Sequence, residues 1–216
     1  MHVLIINGSP RIKRDSNTDK ILEKFTEGMS DSGCTFEQYE ISNRTQWDKI
    51  RERYYQCGNI LIALPLYVEC IPGLLIEFFE SIEKTDNKKI AFILQSGFAE
   101  GVQLRCGEKY LKMLAGSLGC EYCGTLVKGD NFSIRLNEGA DRDKITLPYK
   151  EMGKIYGRDG NFSSEECSKF TGPEIFPAPV RIMVGLLFKT VVKKTFAAKA
   201  GEWGCTRPLD DRPYTE

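Results

Sequence analysis

Apolar residues come in short runs that alternate with stretches of helical spacing over the first 127 positions. His2–Asn7 is a brief run rich in β-branched residues, and Gly8-Ser9-Pro10 stops it as a strand. Ser16 or Asn17 then offers a helix cap, with Ile21, Leu22, Phe25 and Met29 following on one face. Cys34–Ser42 mixes Phe36 and Ile41 with polar residues, which predicts a half-exposed edge strand. Trp47–Gln56 reads as a polar helix. Asn59–Pro65 is nearly all apolar, as a strand covered on both faces should be.

The alternation continues. Pro72 suits the first position of a helix whose buried stripe is Leu75, Phe78, Phe79 and Ile82. Lys89–Gln95 is a second buried strand, Val102–Leu118 a helix closed by Gly119, and Glu121–Val127 a fifth strand. Five strands joined by helices predict a parallel sheet covered on both faces. Right-handed crossovers leave few topologies, and the order 2-1-3-4-5 puts the polar second strand on an edge, as its composition asks.

Past Val127 the pattern is weaker. Lys128–Lys144 reads as loop and Thr146–Tyr156 as a short sixth helix. We expect residues 1–157 to form the α/β domain and 158–216 a helical extension. In that extension Val180, Met183, Val184, Leu187, Phe188, Val191, Val192 and Phe196 form a broad apolar stripe beside Arg181, Lys189 and Lys193. Docking on the domain or on a second subunit is favoured over a membrane surface, because most such stripes are buried faces.

Composition narrows the function. Lys plus Arg and Asp plus Glu each total 30 in 216 residues, so the formal charge is zero. That argues against nucleic-acid binding and against a strongly acidic electron carrier. No segment reaches the length of a membrane span, and Val3–Ile6 is too short for a signal peptide, so a cytoplasmic location is expected. The eight irregularly spaced cysteines are then expected to be reduced. Cys120 and Cys123 fall three apart in a predicted strand, point to opposite faces and chelate poorly. One histidine, His2, is too little for a zinc site or a catalytic triad, so neither a metal nor a catalytic side chain is expected.

In such sheets a ligand binds beyond the carboxyl ends of the strands, where the strand order reverses. Three loops meet there. Asn7–Thr18 carries Ser9, Ser16, Asn17 and Thr18 as donors to a phosphate, with Arg11 adding charge, at a helix N-terminus. A solvated loop with an ordinary cap accounts for these residues equally well. Pro65, Leu66, Tyr67 and Val68 make an apolar turn suited to a flat ring, or simply to capping the core. Ser96, Gly97 and Phe98 follow the fourth strand, where Gly97 lets backbone approach a ligand and Phe98 packs against a ring, or where the chain merely turns.

NGSPR followed by SNT, then PLY with IPG, then QSGF, in this order and spacing, resembles the NAD(P)H-dependent FMN reductase family of flavodoxin-like proteins. The resemblance covers roughly the first 127 residues. It implies a flavodoxin-like three-layer fold and FMN as cofactor, with NADH or NADPH as hydride donor. It also implies a small electron acceptor such as a quinone, nitroaromatic or flavin, and a homodimer or homotetramer. Ser9, Arg11, Ser16, Asn17 and Thr18 are then expected at the FMN phosphate. Pro65, Leu66, Tyr67 and Val68 are expected at the isoalloxazine, and Ser96, Gly97 and Phe98 on its other side, with Gln95 and Glu100 nearby. The compact T-x-T-G-x-T phosphate loop of flavodoxins is absent, and the stretch where related iron–sulfur flavoproteins carry four cysteines holds only Cys57. A non-enzymatic electron-transfer flavoprotein is the alternative.

Overall fold

The computed structural model describes residues 1–212 and Tyr214. Five strands make one sheet: β1 (His2–Asn7), β2 (Thr35–Glu40), β3 (Asn59–Pro65), β4 (Lys88–Gln95) and β5 (Cys120–Lys128). All neighbours pair in parallel, in the order β2-β1-β3-β4-β5. The architecture is flavodoxin-like. β3 and β4 are buried almost throughout, which is why they read as unbroken apolar runs, whereas β2 on the edge has no fully buried residue.

Each face of the sheet carries its own core. On one, Leu4, Ile6, Ile60, Ile62, Phe92 and Leu94 pack under α2 (Trp47–Gln56), α3 (Gly73–Glu80) and α4 (Arg105–Ser117). On the other, Val3, Ile5, Leu61, Ala63 and Ile93 pack under α1 (Asn17–Asp31), α5 (Gly139–Asp159) and α6 (Glu165–Phe170). α1 and α5 touch backbone to backbone through glycines. A Cβ on Gly28 would stand 1.9 Å from the Lys150 carbonyl oxygen, and one on Gly153 2.0 Å from that of Phe25. No other residue fits at either position.

Several boundaries depart from the sequence reading. Pro72 precedes α3 as its cap instead of opening it. A tight turn at Gly101–Leu104 leads into α4, so the regular helix starts three residues later than expected. The helix expected over Thr146–Tyr156 is longer: α5 spans 21 residues from Gly139. Its first turns are polar and solvated, so they carry no periodic signal. Pro148 sits on the exposed side, where its missing N–H costs least. A turn at Phe132–Leu136 and helix α6 were not anticipated.

Cys120 and Cys123 are both buried, Cys120 in the α2–α4 core and Cys123 in the α1–α5 core. They lie on opposite faces, Cys120 in regular register opposite Lys88 and Cys123 in a bulge of β5 facing Ala91, with Gly124 at φ 97°.

The chain divides into two compact units, Met1–Glu174 and Ile175–Glu216. The second is helical: α7 (Ala178–Leu187) continues through a π turn (Phe188–Val192) into α8 (Lys193–Glu202).

Candidate functional site

The carboxyl ends of β1, β3 and β4 open into a crevice of ≈ 200 Å³. Its first wall is the loop after β1. The Gly8 amide donates to the Ala63 carbonyl (2.7 Å) and the Ser9 amide to Asn7 Oδ1 (3.0 Å), so the chain turns tightly over the strand end. Ser16 caps α1, its hydroxyl accepting from the Asp19 amide at 3.2 Å. Asn17 and Thr18, the first residues of α1, line the crevice, so the positive end of the helix dipole lies at it.

Ser9, Arg11, Asn17 and Thr18 line this wall. Asn17 donates through Nδ2 to the Asn131 carbonyl (2.7 Å), while its Oδ1 is buried with no partner among the described residues. Thr18 accepts from Gln95 Nε2 at 3.3 Å, which ties the phosphate-side wall to β4.

The second wall is Pro65, Leu66 and Tyr67. The Leu66 amide donates to the Gln95 carbonyl (2.8 Å), and Tyr67 and Cys70 exchange two backbone hydrogen bonds. Between them Val68 holds φ 60°, a left-handed conformation that β-branched residues rarely take. The third wall is Gln95, Ser96 and Gly97. Gly97 packs beside Phe132: a Cβ there would lie 3.4 Å from Phe132 Cβ, an ordinary contact.

Of the residues expected at the site, Ser16, Val68 and Phe98 do not line the crevice. Ser16 is buried beneath it as the helix cap, and Val68 and Phe98 stand exposed. Two residues that sequence reasoning missed do line it: Phe132 and Arg135, from the turn after β5, with the guanidinium 5.1 Å from the ring centroid. Asn131 positions this turn. Its amide donates to the Ser96 carbonyl (3.0 Å), its Nδ2 to the Lys128 carbonyl (3.0 Å), and the buried Tyr149 hydroxyl donates to its Oδ1 (3.0 Å). The loop after the fifth strand also emerges at the carboxyl edge, and that was the signal available in NFSIR.

Charge around the crevice is mixed. Burial pushes the Lys128 ammonium below its ordinary value. Glu40, at the carboxyl end of β2, is pushed up, first by burial and then by the nearby Asp19 carboxylate. Both Asp19 oxygens are buried without a hydrogen-bond partner among the described residues.

The opposite end of the sheet has a larger hollow, ≈ 540 Å³, against Met1, Asn59, Lys89 and Glu121 at the strands' amino ends. Beside it, His2, Glu37 and Cys57 present ligand-type atoms within 4.8 Å of one another. Glu37 is already saturated. Arg53 Nε donates to both of its oxygens (2.7 and 2.9 Å), Tyr39 and Cys57 donate at 3.1 and 3.3 Å, and its pKa is held down at about 2, chiefly by Arg53. An ion would have to displace that guanidinium. Size favours the amino end, whereas strand polarity, the helix N-terminus and the unpaired Asn17 oxygen favour the carboxyl end.

A family model described as NADPH-dependent FMN reductase matches residues 1–127. Among solved structures, an FMN-dependent NADH-azoreductase from Bacillus anthracis in complex with FMN is 16% identical, with 73% of this chain and 98% of that one covered at a TM-score of 0.54. An NAD(P)H:quinone oxidoreductase from Methanothermobacter marburgensis is 17% identical over 74% of this chain and 99% of its own, with a TM-score of 0.55. An NADH:FMN oxidoreductase in its apo form is 14% identical over 83% and 98%, also at 0.55. At these identities the structures establish the fold. No curated protein matches the chain.

Proposed function

The chain belongs to the NADPH-dependent FMN reductase family, and from that premise we propose that the crevice at the carboxyl ends of the sheet is where it holds FMN. As an FMN-dependent NAD(P)H oxidoreductase, it uses the flavin to take a hydride from the nicotinamide and pass electrons to a small-molecule acceptor. The residues present fit that cofactor. The observation that carries the assignment is the first turn of α1, where Asn17 keeps a buried acceptor without a donor among the described residues and lines the crevice with Ser9, Arg11 and Thr18. A buried unpaired acceptor costs about 1–3 kcal/mol, and a ligand hydroxyl would remove that cost.

Each wall has one task. Ser9, Thr18 and Arg11 bind the phosphate, with Ser16 fixing the helix end behind them. Pro65, Leu66 and Tyr67 form one apolar side of the ring slot, with Val68 at its rim. Ser96 and Gly97 leave room on the other, with Phe98 outside them. Phe132 and Arg135 extend the slot, and the guanidinium places positive charge at its mouth. These side chains bind, orient and exclude water. Hydride transfer itself asks no proton from the protein, which accords with a crevice lined by no carboxylate and no histidine among the described residues.

Quinones, nitroaromatics and free flavins are the acceptors we expect, because a slot open on an apolar turn admits flat rings. We expect a homodimer or homotetramer, and α4, which exposes Tyr110 and Met113 one turn apart, is the face that supports it. Eight free cysteines suit a reducing compartment, so we place the protein in the cytoplasm. The test is anaerobic reduction of the FMN-reconstituted protein. NADPH or NADH should bleach the flavin bands within seconds, and a quinone should restore them. Bands that stay after both nucleotides would refute the reductase reading.

A further inference from the structure

The helix formed by α7, the π turn and α8, residues 178–202, carries five basic residues, Arg181, Lys189, Lys193, Lys194 and Lys199, and one acidic residue, Glu202, at its last position. The same helix has no buried side chain, and its Met183, Leu187, Phe188 and Val191 are exposed. We propose that this helix lies on an anionic phospholipid surface, apolar side inward.

The π turn supports a two-sided helix. In a regular α-helix a residue four positions on drifts by about 40°, so rows at that spacing spiral around the axis. A π turn admits one more residue per turn and takes the drift back. Val180, Val184, Phe188, Val192 and Phe196 thereby stay in one row, flanked on one side by Met183, Leu187 and Val191. Arg181, Gly185, Lys189 and Lys193 form the next row on the other side. Ile182, Leu186 and Lys194 lie on the side away from these rows, and Lys199 continues the Met183 row. Trp203 closes the helix, a residue that favours the boundary between lipid and water.

The choice of lipid over a protein partner follows from the lysines. Protein interfaces exclude lysine from their centres, whereas a headgroup layer accommodates a lysine whose stem lies along apolar surface and whose ammonium reaches phosphate. Lys193 meets Asp210 at 3.0 Å and Lys199 meets Glu202 at 2.6 Å. Both are exposed pairs, worth little, and phospholipid phosphate can replace the carboxylate. No helix among the described residues is long and apolar enough to cross a membrane, so contact is peripheral.

The experiment is co-sedimentation of the full-length protein with vesicles of phosphatidylcholine alone and with about 30% phosphatidylserine. Binding should need phosphatidylserine and weaken with salt. The variant K189Q/K193Q should partition about twenty-five-fold less, at roughly fivefold per lysine. L187Q/F188Q should bind at least tenfold less, and both variants should keep FMN and its reduction by nicotinamide, which reports folding. Equal binding to both vesicle types would overturn the proposal. So would no vesicle binding together with L187Q/F188Q lowering the oligomeric state by light scattering, which would assign the face to a second copy of the chain.

Discussion

At the amino ends of the strands Glu37 has Arg53, Tyr39 and Cys57 for its two oxygens, with His2 Nε2 at 3.5 Å. At the carboxyl ends Asn17 Oδ1 and both oxygens of Asp19 are buried with no partner among the described residues, and Glu40 feels the charge of Asp19. Among the described residues the carboxyl end thus leaves three buried side-chain oxygens open and the amino end one, Thr85 Oγ1 just before β4, although the amino end carries the larger hollow. Buried polar groups normally find partners, so three open oxygens at one end support the site proposed there. Volume alone would select the other end.

The contrast can be broken by exchanging its consequences. The largest effect is expected from S9A/R11A, which removes two side chains proposed at the phosphate. FMN affinity should fall by about a hundredfold, because charge-assisted hydrogen bonds contribute roughly 1.5–3 kcal/mol each, with only a small drop in unfolding midpoint from the lost bond between the Arg11 amide and Ser9 Oγ. Flavin fluorescence titration and thermal melts together check this. Next is Phe132→Ala, which opens the ring slot from the β5 side. About tenfold weaker FMN binding is expected, and an unchanged Kd would remove Phe132 from the site.

Glu37→Gln should act the other way, leaving FMN affinity alone and costing about 1 kcal/mol of stability at neutral pH. The folded pKa of about 2 lies below the ordinary value of 4.5, so this stability is present above that ordinary value and is lost as pH falls toward 2. Urea melts of wild type and variant should therefore converge in acid. Smallest is Glu40→Gln. The folded pKa is raised, so Glu40 favours the folded state below its ordinary value, and this is lost as pH rises through the folded one. The variant should be slightly more stable than wild type at neutral pH, and a loss of stability there would show that the charge has a partner.

How much of this was legible in sequence depended on burial. β1, α2 and β3 have the bounds that their apolar runs or helical spacing announced, His2–Asn7, Trp47–Gln56 and Asn59–Pro65. Two covered faces force continuous runs, and one covered face forces a 3.6-residue period. α5 was only partly readable. Its buried residues start at Thr146, and the solvated turns before it leave no trace in hydrophobicity. The three walls after β1, β3 and β4 could be found because strand polarity and the reversal of strand order name them. Phe132 and Arg135 could not, because their turn has no period and its approach to Gly97 depends on Asn131 bridging to the Ser96 carbonyl, a contact across 35 positions that no local pattern encodes.

The central claim is that redox function resides at the carboxyl ends of the strands. Its most direct measurement is anaerobic NADPH reduction, followed at the flavin bands, of wild type, S9A/R11A and E37Q incubated with equal FMN. The account predicts bound flavin that bleaches in wild type and E37Q alike, and little bound flavin in S9A/R11A. Full flavin retention and reduction in S9A/R11A, with loss in E37Q, would contradict it.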